Sequence, residues 1–143
     1  MAGDAAGREQ KYWFAVAVFR DASDADASLG QLRATTFDQQ NMLVLCDKTI
    51  SAKLNGEGTA LPSGLKSFVH ALKDNGDDTR DGGNRGQSRV YSHLLRDISG
   101  GAVVLVASAA SAEQQLEGAR VLLRGNSECV LTHEIVDRRS DVG

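Results

Sequence analysis

The sequence predicts an α+β domain with a ferredoxin-like split βαβ sheet, built from two duplicated βαβ halves. Residues 12–46 follow the order strand, helix, strand, and residues 102–136 repeat it. The halves align at an offset of 88 residues, the separation of Gly30 and Gly118, with a slip of one residue within the helix. Two βαβ units of this length most naturally form a split βαβ sheet, with the first and third strands at its centre.

In the first half, an aromatic and β-branched run over residues 12–19 predicts a strand. Ser23 is expected to begin a helix, with Asp26 in the position of a weak capping box. Apolar residues at helical spacing form one face of that helix: Ala25, Leu29 and Leu32. A second strand is predicted over residues 42–46.

The second half carries the same signals. Residues 102–107 predict a strand, and Ser111 with Gln114 predicts a capped helix. Gly125 ends that helix, and residues 129–136 predict the last strand.

Residues 47–101 form an insertion between the halves. An amphipathic pattern predicts a helix over residues 63–74, and a second helix is predicted over residues 88–98. Residues 75–87 contain no apolar side chain and predict a flexible loop. Gly100 and Gly101 end the second inserted helix.

Length and charge restrict the class of protein. The 143 residues fit a single domain over residues 12–136, with a mobile tail at residues 1–11 and a second tail at residues 137–143. A net charge of −3 and scattered basic residues argue against nucleic-acid binding. The longest apolar run, which starts at residue 102, is far shorter than a membrane span, so we expect a cytoplasmic protein without one.

No motif predicts a catalytic centre, a metal site or a cofactor. The three histidines, His70, His93 and His133, lack metal-ligand spacing and are expected to be surface or half-buried residues. Cys46 and Cys129 are expected on the two edge strands, roughly 14 Å apart, as buried structural thiols.

About half of the chain shows a pattern found in a known family. It comprises the strand at residues 14–19, the helix from Ser23, residues 91–106 and the helix from Glu113. This pattern resembles the bacterial heat-induced or general stress protein domain. The resemblance implies a stress-associated role and carries no catalytic residues over. Many relatives have an apolar middle region, whereas this chain has Lys66 and Lys73 there.

The central strands have apolar residues on both faces. One face of the first strand presents Phe14, Val16 and Val18, and the other presents Trp13, Ala15, Ala17 and Phe19. A sheet with one solvated face would alternate apolar and polar residues. The helices of the two halves cover one face, so the inserted helices or a second subunit must cover the other. We favour a second subunit, and hence a homodimer, by fold analogy.

These patterns give a candidate ligand pocket or interface at Phe68, Tyr91, His93, Val16 and Val103. The leading hypothesis is a non-enzymatic stress-associated or regulatory protein that acts by self-association or partner binding. One alternative is a small-ligand sensor that binds at a subunit interface. A further alternative is a dimeric ferredoxin-like enzyme that uses His93 or Tyr91.

Overall fold

The computed structural model describes residues 9–48, 62–77 and 85–138. These residues form an α+β arrangement of one four-stranded sheet and four helices, which confirms the predicted class. In chain order the elements are β1 (Glu9–Phe19), α1 (Ala22–Arg33), β2 (Met42–Leu45), α2 (Ser63–Asp77), α3 (Arg85–Ser99), β3 (Val103–Ala109), α4 (Ala112–Arg124) and β4 (Cys129–Arg138). A 3-10 turn at Gln39–Asn41 precedes β2.

The sheet has the order β2-β3-β1-β4, and every neighbouring pair of strands is antiparallel. The two most apolar strands, β1 and β3, are the central pair, as the sequence predicts. Val16 of β1 lies opposite Val106 of β3 on one side and Leu131 of β4 on the other. The strands β2 and β4 form the two edges.

One face of the sheet is covered by α1 and α4. Alternate residues of the central strands, among them Ala15, Ala17 and Leu105, pack there with Leu32 of α1 and Leu122 of α4. Small side chains on β1 let α4 approach closely. A Cβ atom built on Gly118 would lie 3.4 Å from the Cβ atom of Ala15.

The other face is covered by the inserted helices α2 and α3. Phe14, Val16 and Val104 pack there with Phe68 of α2 and Leu94 of α3, and all five side chains are buried. The expectation that a second subunit covers this face is therefore wrong. The homodimer itself stays a prediction.

The two helices that pack on the α1–α4 face begin differently. The helix α1 begins at Ala22 after Asp21, so Ser23 is not its N-cap, and Asp21 makes no side-chain capping hydrogen bond. The N-cap of α4 is Ser111, whose hydroxyl accepts from the backbone N–H of Gln114 at 3.1 Å, as predicted.

The glycine pair after α3 ends that helix as predicted. Gly101 has a positive φ of 103°, a conformation that favours glycine. Its N–H donates to the carbonyl of Ile98, and the N–H of Ala102 donates to the carbonyl of Asp97, which is the Schellman pattern.

Several elements are longer than predicted. Residues 9–11 and 137–138, assigned to tails from the sequence, extend β1 and β4. Residues 9 and 10 pair with residues 138 and 137, and Lys11 pairs with Val136. Residues 75–77 and 85–87, assigned to the loop, belong to α2 and α3, while residues 78–84 lie outside the described residues. Each residue added to an existing helix gains a backbone hydrogen bond without a new nucleation cost. That gain outweighs the low helix propensity of Gly76.

Two glycines at matching positions of the predicted repeat should respond oppositely to alanine. A Cβ atom on Gly118 would lie 2.8 Å from Cζ of the buried Phe37, whereas one on Gly30 would meet no atom within 4 Å. Gly118→Ala is expected to lower the free energy of unfolding by about 1–3 kcal/mol through overpacking. Gly30→Ala should raise it by about 0.5–1 kcal/mol through helix propensity.

Urea unfolding followed by circular dichroism would measure both effects. Stabilisation by both substitutions would show that α4 does not approach the sheet and Phe37 this closely.

Candidate functional site

Four rings from four elements meet on the face covered by α2 and α3. We call this set the four-ring cluster: Phe14 of β1, Phe68 of α2, Tyr91 of α3 and His133 of β4. Ring centroids lie 5.1 Å apart for Phe14 and Phe68, and 5.6 Å apart for Phe68 and Tyr91. These separations suit favourable tilted and edge-to-face contacts. The cluster ties both inserted helices to the sheet.

The polar centre of the cluster is a hydrogen bond between Tyr91 and His133. The Tyr91 hydroxyl oxygen lies 2.7 Å from Nε2 of His133, and the two rings are nearly perpendicular at 88°. Tyr91 is 2% exposed and His133 is 8% exposed. Each side chain thus supplies the partner that the other needs in an apolar environment.

A second polar contact reaches the same point of the sheet from the α4 side. Gln115 is buried, and its Nε2 donates to the carbonyl of Phe14 at 3.0 Å and to the carbonyl of His133 at 3.1 Å. Phe14 and His133 are directly opposite each other in the β1–β4 register. One amide therefore holds the backbone of two residues whose rings belong to the four-ring cluster.

Burial keeps both polar rings neutral. It raises the pKa of Tyr91 well above the usual range for a phenol. Burial also lowers the pKa of His133, and the nearby Glu134 carboxylate opposes that shift only in part. Within the described part of the chain, every buried side-chain nitrogen and oxygen has a hydrogen-bond partner. The arrangement suits a packed structural pair in which the neutral Tyr91 and the neutral His133 share one hydrogen bond.

The structure brings together three of the five candidate residues from the sequence. Phe68, Tyr91 and Val16 share the face covered by α2 and α3. Val103 lies on the opposite face. The His93 side chain is 62% exposed and pairs with Asp97 at 3.5 Å, so it does not join the cluster.

His133 was not recognised from the sequence as part of this site, and its expected surface or half-buried position is wrong. Its register opposite Phe14 decides its burial, because cross-strand neighbours share one face of a sheet. The alternation of His133 with Leu131 and Ile135 could have indicated the same face.

The cysteines occupy the two edges of the sheet, as expected. Cys46 follows β2 and is half-buried, whereas Cys129 begins β4 and is exposed. The interpretation of the two cysteines as buried thiols is therefore wrong, most clearly for Cys129. It starts an edge strand, where the sheet offers neighbours on one side only. Partial desolvation and the carboxylates of Asp97 and Glu128 nevertheless raise its thiol pKa.

Two further properties bear on the kind of site the chain can hold. Among the described residues, no group of three or more histidine, cysteine or acidic side chains is placed to bind a metal ion. Within the same residues, no helix is both long and apolar enough to cross a membrane.

Comparison of the chain with protein-family models, with curated proteins and with solved structures gives no match. The resemblance to heat-induced stress proteins stays an expectation from the sequence.

The burial of His133 predicts that stability depends on pH. In the unfolded chain its pKa returns to about 6.5, whereas the folded value is lower. As the pH falls below about 6.5, the unfolded state binds a proton that the folded state does not. The free energy of unfolding should therefore decrease between pH 7.5 and 5.5.

Urea titrations of the wild type and of His133→Gln across this pH range would test the dependence. The variant should flatten the pH profile of the free energy of unfolding. An unchanged slope in His133→Gln would contradict the assignment.

Cys129 should react slowly with iodoacetamide at pH 8, because its raised pKa leaves little thiolate. In a Cys46→Ala background, Asp97→Asn should accelerate alkylation by removing one of the two carboxylates that raise this pKa. Asp24→Asn, on α1, provides a control that should leave the rate unchanged. Equal rates in all three proteins would rule out the influence of Asp97.

Proposed function

We propose that this chain is a non-enzymatic, stress-associated or regulatory protein that acts by self-association or by binding a protein partner. The observation that carries the proposal is the filled core on both faces of the sheet. The central strands are buried between two pairs of the chain's own helices. What such a molecule offers to other molecules is its outer surface.

The chemistry of the buried pair supports a structural role for it. Tyr91 is held protonated by burial, so its hydroxyl is poorly suited to act as a base. His133 is buried and its Nε2 is bonded to Tyr91 at 2.7 Å. His93, the other residue considered for catalysis, lies at the surface beside Asp97. These candidates therefore do not converge on one reacting atom, as catalysis would require.

The proposal includes a ferredoxin-like split βαβ fold with duplicated halves. Support comes from the antiparallel strand order β2-β3-β1-β4 and from the placement of α1 and α4 on one face. The stress-associated role rests on the sequence resemblance alone. The proposed location, the cytoplasm, rests on sequence composition.

A second candidate function is that of a small-ligand sensor. The specific observation in its favour is a polar pair, Tyr91 and His133, enclosed by apolar rings. A ligand that displaced the mutual hydrogen bond could use both groups. The present geometry favours the first proposal, since the two groups already satisfy each other.

Native mass spectrometry of the purified protein would separate these functions. The proposal predicts masses equal to the polypeptide or to integer multiples of it. A stoichiometric additional mass that is lost in Tyr91→Phe and kept in the exposed-site control His93→Gln would instead establish the ligand sensor. Retention of that mass in both variants would place the ligand elsewhere and would also contradict the proposal.

A further inference from the structure

We propose that a second copy of this chain docks on the β4 edge, where the two β4 strands pair antiparallel and the two α4 helices meet on one face. This inference rests on the self-association in the proposed function, and it specifies the surface involved.

Large apolar side chains on the described surface are concentrated at this edge. Leu116 is 51% exposed, Leu123 is 65% exposed and Val136 is 47% exposed, and they are the exposed large hydrophobic residues of the part that the structure describes. Two lie on α4 and one on β4, and α4 packs against β4. Grouping of this kind is typical of an interaction surface, whereas single scattered apolar residues are not.

The neighbours of α4 show which flank carries the two leucines. Gln114 bonds to Thr36, and Gly118 faces Phe37, so this flank of α4 faces the segment after α1. Gln115 points at the sheet. Since successive helical residues are rotated by about 100°, Leu116 lies on the flank opposite Gln114. Leu123, seven residues further on, shares that flank, which is directed toward the β4 edge.

Val136 lies on the same face of the sheet as α4. His133 belongs to the four-ring cluster on the opposite face, and side chains alternate along a strand. Residues 132, 134 and 136 are therefore directed toward the α4 side. The three exposed side chains thus share one edge and one face.

The backbone of β4 is oriented to accept another strand. A single nitrogen of Gln115 reaches the carbonyls of both Phe14 and His133, so both carbonyls point between β1 and β4. In an antiparallel ladder, alternate residues direct their N–H and C=O groups to opposite sides. Thr132 and Glu134 therefore direct theirs outward, where an added strand would bond.

The sequence of β4 is complementary to itself in one register. A two-fold axis perpendicular to the sheet and passing beside His133 would place Thr132 opposite Glu134 of the other copy. The same register gives two apolar pairs, one of Val130 with Val136 and one of Leu131 with Ile135.

Charge favours this register over the registers that are shifted by two residues. Over residues 130–136 this register brings no like charges opposite each other. A shift by two residues in one direction would place Glu134 opposite its own copy. The shift in the other direction would place the charged Glu128 opposite the apolar Val136. Within each chain the Lys11 Nζ atom lies 3.2 Å from the Glu134 carboxylate and offsets the negative charge of Glu134 at the interface.

The two-fold axis also determines where Leu116 and Leu123 of the two copies lie. It keeps both α4 helices on the same face of the joined sheet, one on each side of the axis. Their flanks with Leu116 and Leu123 then face each other. An edge strand of ten residues and an apolar helix flank are covered by the same contact.

Light scattering across a concentration series tests the interface. We expect the wild type to be a dimer and Leu116→Glu/Leu123→Glu to be a monomer. The dimer Kd should rise at least about 100-fold, because the contact would bury two unpaired carboxylates in each chain. Ala27→Glu/Gln31→Glu places the same charges on exposed positions of α1 and should remain a dimer.

A cross-linking experiment tests the register independently of that variant. In chains carrying Cys46→Ala and Cys129→Ser, one protein receives Thr132→Cys and another Glu134→Cys. Mild oxidation should give a covalent dimer in the mixture, because directly opposite residues lie within disulfide range. Each protein oxidised alone should remain a single chain.

A dimer that is unaffected by the leucine substitutions and gives no mixed cross-link would overturn this interface and leave self-association intact. A wild type that stays monomeric at the highest concentration would overturn both. The proposed function would then depend on a different protein partner.

Discussion

The structure depends on one constraint, which is that both faces of the central strands must be shielded from water. In β1 and β3 consecutive residues are apolar, so a helix layer on one side would leave the other side exposed. The chain meets this constraint within itself. The helices α1 and α4 cover one face, and α2 and α3 cover the other. The insertion between the two halves is therefore part of the core.

The four-ring cluster shows how the inserted helices are fixed in place. Phe68 supplies apolar contact from α2, and Tyr91 of α3 adds a directional bond to His133. On the far side of the sheet, Gln115 holds the carbonyl of His133. Both helix layers therefore depend on the same point of the β1–β4 pair. Burial of a satisfied polar pair stabilises one arrangement of the helices, because misplacement would leave either group without a partner.

Much of the architecture could be predicted from local patterns, and the errors came from contacts between distant residues. The apolar run of residues 12–19 and the Ser111–Gln114 cap each depend on residues of a single element. The strand and the cap predicted from them are confirmed. The cover of the second face and the burial of His133 depend on how elements separated in sequence meet. The alternation with Leu131 and Ile135 indicates which face of β4 His133 shares, but no spacing along the chain shows that Phe14 lies opposite it. The exposure of Cys129 likewise follows from its place at the start of an edge strand.

The most direct test of this account is a nuclear Overhauser measurement between the rings of the four-ring cluster. The Phe14 and Phe68 ring centroids are 5.1 Å apart, as are those of Tyr91 and His133. This packing predicts strong contacts between these ring protons within one chain. A sample that mixes isotope-labelled and unlabelled protein distinguishes contacts within a chain from contacts between chains. Cross-peaks that appear only between chains would show that a second subunit covers this face and would contradict the account.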